Sequence, residues 1–238
     1  VAARFPTTRW SRVVQAGDPA DPDGRAALEE LCGDYWFPLY AFVRRRGASP
    51  PDAEDQVQGF LADLLERGDL ANVDRSEGRF RAFLRAACEH YLSNRRDYDR
   101  ARKRGGDVTI VSIDRLEAES RYAREPSHEL TAERVFERQW ALTLLGRVLE
   151  RLEAESGKGE KATLFVCLRP ALQGEDLGCS YGAIGAELGM SEGAVRVAAH
   201  RLRARYRDLL REEVGRTTDV PTDINSEIAD LLAAVASP

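Results

Sequence analysis

The sequence predicts an all-α protein: two small helical domains joined by a linker, the C-terminal one containing a helix-turn-helix. Three observations carry this. Apolar residues recur at helical spacing nearly throughout, with no strand-type alternation. The stretch Asp107 to Leu130 breaks that periodicity and contains Pro126. Near the C-terminus, two helix patterns flank a Gly-Met-Ser turn, Gly189 to Ser191. With 238 residues, 43% of them hydrophobic and 32% charged, the chain is long and apolar enough to bury cores, and disorder as its main state is excluded.

The elements follow in order. A first short helix is expected after Thr7 or Thr8, stopping near Gly17, with Asp18 to Gly24 as a loop. A second runs from Arg25 to Arg46, apolar at Leu28, Leu31, Tyr35, Leu39 and Phe42, and stops at Gly47. A third has Ser49 as N-cap, Pro50 in its first turn, Asp52 completing a capping-box-like spacing and Gly68 beyond its end. A fourth spans Glu77 to Arg104, apolar at Phe80, Phe83, Leu84, Ala87, Cys88 and Tyr91, and is halted by Gly105 and Gly106. Residues 107–130 are read as a linker with at most a short helical piece between a domain of residues 1–106 and one of residues 131–214. After Thr131 a long helix reaches Glu155, and a shorter one, Lys161 to Leu168, precedes Pro170. Helices Tyr181 to Leu188 and Glu192 to Glu213 follow. The extension of residues 215–238 holds a small amphipathic segment, Ile224 to Val235, expected either to cap the second body or to fray.

No apolar run is long enough for a membrane helix, and residues 1–14 carry Arg4, Arg9 and Arg12 without an apolar signal core, so a cytoplasmic protein is expected. Cys32, Cys88, Cys167 and Cys179 are scattered, and there are three histidines in the chain; this pattern indicates neither zinc nor a disulfide framework but buried, reduced thiols. Neither a metal nor another cofactor is expected. The net charge of −5 alone disfavours nucleic acid as a partner. Its distribution reverses that: Arg79 to Arg104 holds nine basic residues against three acidic, a local +6, and Ser191 to Arg211 holds six arginines against Glu192 and Asp208, a local +4. The remainder carries −15. Cationic segments set in an acidic body suit a polyanion partner combined with a second, different surface, although arginine-rich helices can also be merely solvated.

In S-Y-G-A-I-G-A-E-L-G-M-S-E-G-A-V-R-V-A-A-H-R-L, Gly185 is small where two helices must cross, Gly189 permits a positive φ, and Ser191 caps the second helix. Ile184, Leu188, Met190, Val195 and Ala198 are the expected shared core. A plain αα-hairpin is the alternative. At 100° per residue, Arg196, His200, Arg203 and Arg207 gather in a stripe about 60° wide, away from Val195, Ala198, Leu202, Tyr206 and Leu209. Such a helix can enter a major groove with Ser191, Arg196 and His200 near base edges and Arg203 and Arg207 nearer phosphates. Arg201 and Arg205 fall off the stripe, where solvation suffices for them.

The helix from Pro50 turns Ala53, Val57, Phe60, Leu61, Leu64 and Leu65 inward and Asp52, Asp55, Gln56, Gly59, Ala62, Asp63 and Glu66 outward. Gly59 costs about 1 kcal/mol in a helix interior relative to alanine, so small residues among acids suggest a docking face for a basic protein partner. Acidic stabilisation of the first turn is the competing account. In the basic helix, Asn94 can bond a base edge, Arg95, Arg96, Arg100 and Lys103 can neutralise phosphates, and Tyr98 can stack on an unpaired base.

On F-P-T-T-R-W (Phe5 to Trp10), L-C-G-D-Y-W-F-P-L-Y (Leu31 to Tyr40), D-A-E-D-Q-V-Q-G-F (Asp52 to Phe60), G-R-F-R-A-F-L (Gly78 to Leu84), K-R-G-G (Lys103 to Gly106) and E-G-A-V-R-V-A-A-H-R-L-R (Glu192 to Arg203), the chain resembles the extracytoplasmic-function sigma factors of bacterial RNA polymerase. The resemblance covers almost the whole chain. It implies that residues 1–106 are sigma region two and residues 131–214 region four. It implies that the D-A-E-D helix, with Asp52, Asp55 and Gln58, binds the β′ clamp helices of core RNA polymerase, and it brings the β flap, promoter DNA and an anti-sigma factor as further partners. Ser93 to Arg104 would then recognise and open the minus-10 element and Ser191 to Arg203 would read minus-35, with no catalytic residue, because nucleotide addition belongs to the core enzyme. The chain departs from the family pattern at Gly59 and in its C-terminal extension. Readings from other classes are a stand-alone helix-turn-helix regulator and a metal-dependent nuclease using Asp52, Glu54 and Asp55.

Overall fold

A computed structural model describes residues 22–66, 80–99, 115–124, 130–215 and 224–236. The described residues are all-α, with nine helices and no strand among them: α1 (Pro22–Arg45), α2 (Pro50–Glu66), α3 (Phe80–Asp99), α4 (Arg115–Tyr122), α5 (Ala132–Ser156), α6 (Glu160–Leu172), α7 (Tyr181–Leu188), α8 (Glu192–Gly215) and α9 (Ile224–Ala236). The expected helix after Thr7 or Thr8 lies outside the described residues. No described helix is long and apolar enough to cross a membrane.

Two compact units form, one of residues 1–143 with 215–238 and one of residues 144–214. The division falls within α5, whereas the sequence reading set a linker at 107–130 and a separate extension at 215–238. The difference has a packing reason: α4, inside the expected linker, is fastened to α1. Glu119 accepts from the Tyr40 hydroxyl at 2.5 Å and from Arg44 Nε and Nη2 at 2.7 and 3.1 Å, Ala118 is buried, and Arg121 lies 3.9 Å over the Phe37 ring.

In the first unit, α1 supplies a run of buried aromatics, with Trp36 and Tyr40 stacked at 5.0 Å. This helix starts at Pro22 rather than Arg25, because proline suits a first helical turn. Tyr35 meets Phe80 of α3 edge-on at 5.5 Å, and Phe42 meets Phe136 of α5 at 6.3 Å. Ser49 and Asp52 form the expected cap of α2: the Asp52 amide donates to Ser49 Oγ at 3.3 Å, and that hydroxyl donates to the Asp52 carboxylate.

The C-terminal helix α9 falls in the first unit, where it packs on α3 and on the part of α5 before residue 144, a stretch that the expected second body included. Its Glu227 is buried and pairs with Arg81, which also donates to Glu137 at 2.6 Å and lies 4.1 Å over the Trp140 ring. Arg138 donates to the Val235 carbonyl at 2.6 Å. Arg81 was counted among the cations of the basic segment, and its charge is spent inside the protein.

In the second unit, Leu168, Ile184, Val195 and Ala199 form the core, with Leu164, Cys167, Leu188, Met190 and Leu202 packed around it. Ala199 thus takes the core place expected for Ala198, which is half-buried. Helix α6 continues past Pro170 to Leu172, and the Pro170 carbonyl accepts from Gln173 and Glu175 at 3.0 Å each. Arg205 is not merely solvated: it bonds both oxygens of Glu155 at 2.7 Å and Glu212 at 3.2 Å.

Candidate nucleic-acid interface

Small residues cap α7 and α8 and shape the turn between them. Ser180 caps α7 by accepting from the Ala183 amide at 3.1 Å, and Ser191 caps α8 by accepting from the Ala194 amide at 3.2 Å. Gly189 takes φ 66° and ψ 25°, a left-handed conformation that ends α7. Gly185 accepts from the Met190 amide at 2.8 Å, and a Cβ on Gly185 would stand 2.5 Å from the Met190 carbonyl oxygen. The sequence assigned Gly185 to a helix crossing; the close approach is to the backbone of the turn.

The turn fixes which side of α8 faces solvent. Val195, Ala199, Leu209 and Leu210 are buried, while Ser191, Arg196, His200, Arg203 and Arg207 are all exposed. The four stripe residues therefore share one open cationic face, as their spacing requires. Two residues that the sequence reading did not single out hold it in shape. Glu192 accepts from Arg196 Nε at 3.1 Å and Nη2 at 2.6 Å, and Tyr181 of α7 accepts from Arg203 Nη2 at 3.2 Å with its ring centroid 6.0 Å from the Arg196 guanidinium. The four-residue spacing of Glu192 and Arg196 was visible in the sequence; the approach of Tyr181 was not.

In the first unit, α2 buries Ala53, Val57, Phe60, Leu61 and Leu64 and leaves Asp52 and Asp55 exposed. Gln58, Gly59, Ala62 and Asp63 are half-exposed on the same helix. The acidic face is thus open to solvent, and among the described residues no three His, Cys, Asp or Glu side chains converge as metal ligands. On α3, Asn94 is exposed. Arg95, Arg96 and Tyr98 continue the helix, but their side chains lie outside the described set, as do Arg100 and Lys103 altogether.

The thiols divide by depth. Cys32 and Cys88 are buried, Cys167 is half-buried and Cys179 is exposed, so the expectation of burial fails for Cys179, which sits in the loop between α6 and α7. Burial pushes the Cys88 thiol up to about 12.

No protein-family model, curated protein or solved structure matches the chain.

Proposed function

We propose that this chain is a sigma factor of the extracytoplasmic-function type, a cytoplasmic specificity subunit that associates with core RNA polymerase, recognises minus-10 and minus-35 promoter elements and directs transcription initiation. The observation that carries the reading is the open stripe Arg196, His200, Arg203 and Arg207 on a helix introduced by a tight, serine-capped turn. A helix of that shape and charge fits a major groove, with phosphates neutralised by the distal arginines. What favours a polymerase subunit over a stand-alone regulator is the exposed acidic face of α2, which DNA would repel and a basic protein surface would attract. In this reading Asp52, Asp55, Gln58, Gly59, Ala62 and Asp63 meet the β′ clamp helices, the segment from Asn94 to Lys103 opens the minus-10 element, and α8 reads minus-35. The β flap and an anti-sigma factor are its further partners, and chemistry stays with the core enzyme.

In vitro transcription with core polymerase on a promoter library tests it. Asp55→Arg is expected to abolish co-purification with core polymerase, whereas Arg196→Ala and Arg203→Glu keep core binding and lose dependence on the minus-35 element. Tight duplex binding by the chain alone, with transcription by the core enzyme unchanged, would replace this reading with the stand-alone regulator.

A further inference from the structure

The way Arg196 is held specifies which base it can read. Its Nε and Nη2 both donate to Glu192 Oε1, at 3.1 and 2.6 Å, so the carboxylate occupies the side of the guanidinium. Guanidinium carries five N–H donors in a fixed planar fork. With the side edge taken, the end of the fork remains: the Nη1 hydrogens and the second Nη2 hydrogen. In the major groove, guanine offers two adjacent acceptors, N7 and O6, matched to two parallel N–H groups. Adenine offers one acceptor beside a donor, and thymine one acceptor beside a methyl group. The Arg196 side chain is 66% exposed and thus available for such a contact, and Tyr181 lies beside its guanidinium while holding Arg203, two turns further along.

We infer that Glu192 is a positioning residue that presents Arg196 end-on to a guanine, so that the α8 face specifies a G·C pair opposite its first two turns. This rests on the proposed reading that α8 enters a major groove and goes beyond it by naming the base pair. An isolated glutamate–arginine pair four residues apart contributes only a few tenths of a kcal/mol to a helix. In the groove its role is different: with water excluded, the carboxylate fixes the plane of the fork and opposes its turning towards a phosphate. A Cβ on Gly182 would stand 3.3 Å from the Glu192 carboxylate oxygen, so any larger residue there would crowd the carboxylate.

The test is a binding selection from a duplex library randomised across the minus-35 window, using the full chain with bacterial core RNA polymerase, in wild-type, Arg196→Ala and Glu192→Gln forms. The wild type is expected to enrich a motif containing a guanine. Arg196→Ala should abolish preference at that position, and Glu192→Gln should reduce it on the order of tenfold while preferences elsewhere in the motif stay unchanged. Glu192→Gln lowering affinity equally at all positions, as a helix-stabilising pair would, overturns the inference. So does a motif in which the Arg196-dependent position is not guanine. Both results leave the sigma-factor reading standing. If the wild type enriches no motif at all, the promoter-reading proposal falls and this inference falls with it.

Discussion

Arg81, in the first turn of α3, is buried against Glu227 of α9, 146 residues further along the chain. Its second carboxylate partner, Glu137, and the face of Trp140 enclose the guanidinium, so a basic residue that charge counting assigned to the polyanion-facing segment is an internal anchor for the C-terminal helix.

Removing one partner of a buried pair leaves an uncompensated group and costs far more than the pair contributes. Glu227→Ala is expected to lower the stability of the first unit by about 3 kcal/mol, read by urea unfolding. Replacing Arg81 and Glu227 together with apolar residues of similar volume should recover most of that loss. If Glu227→Ala unfolds at the wild-type urea concentration, α9 is not anchored by this pair.

Gly185 has no room for a side chain, because the obstacle is backbone rather than a movable side-chain end. Gly185→Ala is expected to destabilise the second unit by about 1–3 kcal/mol through a forced shift of the turn. Gly189→Ala should cost about 1 kcal/mol through its left-handed backbone. Thermal unfolding followed by circular dichroism checks both.

The clasp on α4 is acid-sensitive. Hydrogen bonds from Arg44 hold the Glu119 carboxyl below its usual range, with Tyr40 acting in the same direction against burial. A carboxylate depressed in the folded state contributes stability that is fully present above its unfolded pKa and is lost as pH falls through the folded one. Stability should therefore decline below the ordinary glutamate range. Glu119→Gln is expected to cost about 1–2 kcal/mol at neutral pH and to flatten that acid limb, read by urea unfolding between pH 3 and 7 or by amide exchange in α4.

Arg207 lies at the distal end of the exposed stripe, and in the proposed docking it meets a phosphate rather than a base. Arg207→Ala should weaken DNA binding by a similar factor for every sequence and reduce the slope of log affinity against log salt by about 0.9. A change confined to one base position would contradict the phosphate role.

Thiol reactivity should follow depth. Exposed Cys179 is expected to alkylate first, while Cys32 and Cys88 stay protected until the first unit opens. Peptide mass spectrometry after a timed iodoacetamide pulse gives the order.

Much of the molecule is legible in the sequence, for local reasons. Helical periodicity sets the class, Ser49 with Asp52 sets a cap through a side chain three residues from its target, and the 100° step places Arg196, His200, Arg203 and Arg207 on one side of α8. Each depends on residues within a few turns of one another. The acidic outer face of α2 follows from the same arithmetic, because the buried positions of that helix define it.

What the tertiary structure alone decided involves partners far apart in the chain. Glu119 reaches back 79 residues to Tyr40 and docks the short helical piece of the expected linker on α1. Glu227 buries Arg81, assigning the C-terminal segment to the first unit. Tyr181 reaches Arg203 across the turn. Periodicity fixes which side of a helix is buried but carries no information on what covers it. Charge counting likewise cannot distinguish an arginine that faces solvent from one neutralised by a carboxylate brought in from a distant helix.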